Sequence, residues 1–114
     1  MIWTVHFHEA FAEELGTYDV AVVEALRAHI VPLQQFGPQL GRPHVDTLKG
    51  SKHTNMKELR FKAANGVWRV AFAFDPDRTA ILLVAGDKSG VSESRFYEQL
   101  IGLADRRLDV HLKR

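Results

Sequence analysis

An α+β fold built on a small, mainly antiparallel sheet is predicted by three observations. Asn65-Gly66 separates two runs rich in strand formers, MKELRFKA and VWRVAFAFD, and is a strong short hairpin signal. Asp75-Pro76-Asp77 then suits a tight turn into TAILLVAG, with Pro76 presetting φ. Apolar residues also recur at helical spacing on either side of this meander: Val22, Leu26, Ile30 and Leu33 before it, and Phe96, Leu100, Leu103, Ala104, Leu108 and Leu112 after it.

Each element has its own local cause. IWTVHF alternates bulky and polar residues, which predicts a first strand near 2–7. A short helix follows from about His8 to Leu15, closed by Gly16. Asp19 is an N-cap for the next helix, which Pro32 kinks or ends by removing a backbone donor. FGPQLGRP is rich in Gly and Pro, so residues 37–55 read as mostly irregular, a loop within one domain spanning 1–114. Ser92 caps the last helix.

The chain has 114 residues, 46% hydrophobic and 25% charged, which suits one core and argues against disorder. No apolar run reaches bilayer length, and MIWTVHFHE lacks a leader pattern, so no membrane association and a cytoplasmic location are expected. The absence of cysteine excludes disulfides, thiolate metal sites and cysteine nucleophiles. Charge is uneven despite a total near zero. Residues 1–40 carry Glu9, Glu13, Glu14, Asp19 and Glu24 against Arg27, a net of −4. Residues 41–70 carry Arg42, Lys49, Lys52, Lys57, Arg60, Lys62 and Arg69 against Asp46 and Glu58, a net of +5. That middle third is the candidate polyanion surface, with Lys49, Lys52, Lys57 and Lys62 as its candidate phosphate-backbone-binding lysines. Solvated surface lysines are the plain alternative.

Strand alternation sorts the side chains by face. Trp68, Val70, Phe72 and Phe74 share the bulky face with Leu59 and Phe61, while Arg69, Ala71, Ala73, Glu58 and Arg60 take the other. If the helices cover the bulky face, the second face is an open groove lined by charge and floored by alanine. Arg69 would then be exposed, and its truncation would cost on the order of 0.5 kcal/mol.

The order TLKG, the ELR tripeptide Glu58 to Arg60, the VWRV strand, the AGDKSG step and RFYEQL resembles the RelE/ParE superfamily of toxins, most closely its HigB-like branch. The resemblance covers nearly the whole chain and is densest from Gly37 to Tyr97. It implies a RelE-like toxin fold with two N-terminal helices and a C-terminal one. It carries the family's strand arginine onto Arg69, the late basic residue onto Lys88 and the tyrosine onto Tyr97. It further implies cutting of mRNA in the ribosomal A site, without cofactor, and a cognate antitoxin, typically a HigA-like helix-turn-helix protein. A ParE-like inhibitor of DNA gyrase, or a non-catalytic binding module on the same fold, is the alternative.

RNA carries its own nucleophile, the 2′-OH, so such a site needs a base, charge stabilisation and a proton for the leaving 5′-oxygen. Arg69 and Arg60 suit the phosphate because a guanidinium is planar and permanently charged. Lys88 adds charge near the leaving group or a flanking phosphate. Glu58 is the best carboxylate base, with Tyr97 and His53 as competitors. Each also has a structural role open to it: Arg69 and Arg60 in ion pairs, such as Arg69 with Glu58 across the hairpin, Lys88 solvated, Tyr97 packed. His6, His8, His44 and His53 show no metal-ligand spacing, so no metal is expected. Trp3 and Trp68 are candidates for base stacking, although Trp68 falls on the packed face.

Overall fold

The computed structural model describes residues 2–113. Along the chain run β1 (Thr4–Phe7), α1 (Glu9–Leu15), α2 (Val20–Phe36), a 3-10 turn (Gly37–Gln39), β2 (Val45–Thr47), β3 (Lys57–Ala63), β4 (Gly66–Phe74), β5 (Thr79–Asp87) and α3 (Glu93–Leu112). The strands form one mixed sheet in the order β1-β5-β4-β3-β2. Only β1 and β5 run parallel; the other neighbours are antiparallel. The expected α+β class and mainly antiparallel sheet are both present.

Local chemistry accounts for most boundaries. Asp19 caps α2 by accepting from the amide of Ala21 at 2.8 Å, and Ser92 caps α3 through the amide of Arg95. Pro32 does not end α2, which continues to Phe36. The missing donor is tolerated because the turn beyond it is held from outside: Leu33 is fully buried, and the Gln34 carbonyl accepts from the amide of Trp3 at 2.8 Å. Gly37 closes the helix at φ 57°, with the Trp3 indole 2.4 Å from where a Cβ would stand.

The hairpin between β3 and β4 turns one residue earlier than Asn65-Gly66. Ala64 and Asn65 hold the two positive φ angles, and Gly66 already pairs with Ala63 as the first residue of β4. Gly66 is required for space, since a Cβ there would lie 2.7 Å from both Asp87 and the Trp68 indole nitrogen. At the other turn, Asp75 accepts from the amides of Asp77 and Thr79, and Arg78 takes a positive φ of 64°.

Both faces of the sheet are covered, which corrects the expected open face. α1 and α2 pack Phe11, Val22, Leu26 and Leu33 against Leu59, Phe61, Val70, Phe72 and Leu82. α3 packs Phe96, Leu100, Ala104 and Leu108 against Ala71, Ala73, Ile81 and Leu83. The alanines admit the large side chains of α3 instead of leaving a hollow. The signal was in β5, where the unbroken apolar run AILLV means a strand buried on both sides. Arg107 on α3 fixes the layers by donating to Glu14 of α1 and to the Leu83 carbonyl at 2.7 Å. Among the described residues, no helix is long and apolar enough to cross a membrane.

Candidate active site

β2 lies at one edge of the sheet, and the N-terminal turn of α3 crosses the same face nearby. Between them opens a groove of about 540 Å³ lined by Arg42, Asp46, Lys49, Glu58, Arg60 and Tyr97, with Thr47, Leu48 and Glu93 at its sides. The groove sits where α3 begins, beyond the region its apolar residues seal.

Its floor is a hydrogen-bonded triad. The Tyr97 hydroxyl donates to Oε1 of Glu58 at 2.7 Å and accepts from Nε of Arg69 at 3.3 Å. Nε of Arg69 is 3.5 Å from the same carboxylate oxygen, while a terminal nitrogen donates to the Trp68 carbonyl at 2.9 Å. Both charged side chains are more than nine-tenths buried, so Arg69 is not the exposed cation expected from the sequence. The physical reason is α3, which lays Tyr97 over the face that alternation assigns to Glu58 and Arg69. Burial, followed by the bond to Glu58, pushes the Tyr97 hydroxyl above its usual pKa, with Arg69 opposing in part. Tyr97 is therefore a neutral proton donor at physiological pH.

Arg60 faces Arg69 directly across the β3–β4 ladder. It is half-buried and lines the groove, and its Nε is enclosed without any acceptor. A guanidinium N–H in that condition favours an incoming anion, because a buried donor left unmade is costly.

The other sequence candidates divide. Lys49 lines the groove. Lys88, directly after β5, is 3.6 Å from Glu93 on the groove wall, so it stands at the rim. His53 is elsewhere: its Nε2 pairs with Asp109 of α3 at 2.8 Å, and Lys52 pairs with the same carboxylate. Twelve residues of helix separate Asp109 from Tyr97, about 18 Å, so His53 and Lys52 are not brought to Glu58. Lys57 alternates to the opposite strand face from Glu58 and Arg60, and Lys62, though on their face, is exposed beyond them. Trp68 packs on Tyr18, and Trp3 packs on Phe74 and beneath the Arg78 guanidinium. No group of three or more metal-ligating side chains occurs among the described residues.

Arg42, Asp46 and Glu93 were missed as groove residues. Arg42 and Asp46 counted only toward net charge because nothing in PHVDTL announced the three-residue strand β2 that brings them to Glu58.

A family model described as phage derived protein Gp49-like matches residues 13–109. The chain belongs to the Gp49-like family. Its Gp49-like sequence is 41% identical over 111 residues to "Putative toxin HigB2" of Mycobacterium tuberculosis, covering 96% of this chain and 54% of that protein. It is 51% identical over 75 residues to "Putative toxin HigB3" of the same organism, covering 66% and 63%. The chain thus spans little more than half the length of these curated relatives. The Gp49-like fold is similar to that of a double mutant of E. coli toxin RelE in the free state, with a TM-score of 0.59 over 90% of this chain and 96% of that one. At 14% identity this likeness is one of fold. Together these matches describe a Gp49-like chain that is similar in sequence to proteins named as HigB toxins and similar in fold to RelE.

Proposed function

We propose that this chain is the toxin of a type II toxin–antitoxin pair and that it cuts mRNA at the groove between β2, β3 and α3 without a metal. The observation that carries this reading is the Arg60 side chain, which lines the groove beside the carboxylate and phenol of Glu58 and Tyr97 and whose Nε has no acceptor. Those three groups match what RNA self-cleavage requires.

In the proposed reaction, Glu58 takes the proton of the 2′-OH as the O2′–P bond forms. Arg60 stabilises the charge that gathers on the non-bridging oxygens. As the P–O5′ bond breaks, Tyr97 gives its proton to O5′. Glu58 then returns a proton to Tyr97 along their 2.7 Å contact, which restores both groups. The products are a 2′,3′-cyclic phosphate and a 5′-hydroxyl. Arg69 acts through the other two as a positioning residue, and Lys88 and Lys49 add positive charge at the rim and wall.

The resemblance to HigB-like toxins extends this to mRNA on the ribosome and to a HigA-like helix-turn-helix antitoxin as the partner. A second reading, a non-catalytic module or gyrase inhibitor of ParE type, draws on the pairing of Arg69 with Tyr97, Glu58 and Trp68. Primer extension on mRNA in a translating extract, using protein treated with EDTA and freed of it before addition and untreated protein beside it, separates them. New internal ends carrying a 5′-hydroxyl are expected; intact mRNA together with inhibited DNA supercoiling would establish the second reading instead.

A further inference from the structure

The groove contains two arginine–carboxylate pairs of opposite character. Glu58 and Arg69 form the buried one, tied further by Tyr97. Arg42 and Asp46 form the other: Nε and a terminal nitrogen of Arg42 lie 3.0 and 2.9 Å from Oδ2 of Asp46, with side chains 77% and 28% exposed. A buried pair is costly to separate, because each partner is left as an unpaired charge. An exposed pair contributes little net stability and exchanges readily with competing ions.

Asp46 is placed by β2 directly opposite Glu58 in the ladder, and Arg60 follows two residues on along β3. Arg60 donates its amide to the His44 carbonyl at 2.8 Å, which fixes its backbone beside the strand that carries Asp46. Two carboxylates directly opposed on a sheet repel each other. Arg42, Arg60 and Arg69 offset that repulsion, so the Asp46 carboxylate occupies ground that a phosphate would suit equally well.

We propose that Arg42 and Arg60 form a second phosphate subsite, for a nucleotide flanking the cut, and that Asp46 is its built-in placeholder: RNA displaces the Asp46 carboxylate from Arg42 on binding. The placeholder keeps the Arg42 guanidinium compensated in the free protein and yields to a phosphodiester, whose oxygens reach the groove-lining guanidinium groups of Arg42 and Arg60 together. This inference rests on the RNA-cutting reading of the same groove.

The test is equilibrium binding of a short single-stranded RNA with every 2′-OH methylated, which cannot be cut, across a salt series. Four proteins are compared: wild type, Asp46→Asn, Arg42→Ala and the double variant. Asn keeps the Oδ1 that accepts from the amide of Thr47 at 2.9 Å, so the strand edge survives the substitution. Asp46→Asn should tighten binding about two- to fivefold. Arg42→Ala should weaken it and reduce the salt slope by about 0.7. In the Arg42→Ala background, the tightening by Asp46→Asn should fall to less than half its size on the logarithmic scale. Equal tightening with and without Arg42 would mean a general field effect and overturn the placeholder, as would unchanged or weaker binding by Asp46→Asn. Those results leave the nuclease reading intact. No RNA binding by any of the four proteins would overturn the subsite, whereas the nuclease reading stands or falls on primer extension in the translating extract.

Discussion

Arg60 and Arg69 are direct cross-strand partners on β3 and β4, yet only Arg69 is neutralised: it lies 3.5 Å from Glu58, whereas the enclosed Nε of Arg60 has no acceptor. Like charges opposed on a sheet are destabilising. The fold accepts that cost at Arg60 and offsets it at Arg69, which separates a residue that stabilises from one available to a ligand.

Arg69→Ala is therefore expected to lower stability by about 2–4 kcal/mol, because it leaves Glu58 buried without its cation. Urea denaturation of the variant checks this. A loss below about 1 kcal/mol would return Arg69 to the exposed, ligand-facing role expected from the sequence.

Tyr97 should resist deprotonation. Its pKa is raised chiefly by burial and then by the bond to Glu58, and that of Tyr18 is raised by burial and then by Glu14. A tyrosine whose folded pKa exceeds its unfolded value contributes stability fully below the unfolded value of about 10 and loses it as pH climbs through the folded value. Absorbance at 295 nm should show both tyrosines of the native protein titrating above about 10. In Tyr97→Phe the alkaline loss of stability should shrink, and neutral stability should fall by about 1.5–3 kcal/mol with the bond to Glu58. Titration of Tyr97 at the ordinary value would show that the triad does not form.

Gly37→Ala should cost about 2–4 kcal/mol, combining a positive φ with a Cβ driven into the Trp3 indole. Thermal melting checks the size of the loss. RNA binding by the fraction that remains folded should be unchanged, since Gly37 and Trp3 do not line the groove.

The elements most legible from the sequence were those with local causes. Asp19 and Ser92 cap helices as their side chains dictate, and the alternation of β4 put Val70 and Phe72 in one core as expected. The open face failed because strand alternation says which side chains share a face, not what covers it. Covering depended on α3 crossing Ala71 and Ala73, a relation between residues far apart in the chain. The turn lies one residue earlier than Asn65-Gly66 because Gly66 is the first residue of β4, where its role is to leave room for Asp87 and Trp68. In the site, Glu58, Arg60, Arg69 and Tyr97 do meet, but the sequence could not reveal which arginine pairs with Glu58. His53 is a candidate from its side-chain chemistry and its place in the loop before β3, but a loop residue's partner, here Asp109, is set by tertiary packing.

Arg60→Met is the most direct probe of the central claim, that the guanidinium of Arg60, which lines the groove, faces the phosphate. The substitution removes an unmade buried donor and a cross-strand repulsion, so stability should hold or rise by about 0.5–1 kcal/mol. Cleavage should fall about a hundredfold, near 3 kcal/mol of transition-state stabilisation. The measurement is the rate at which new mRNA ends appear in a translating extract, with wild type and the variant at equal folded concentration. A folded Arg60→Met protein that cuts slowly is the predicted result; one that cuts at the wild-type rate would contradict the account.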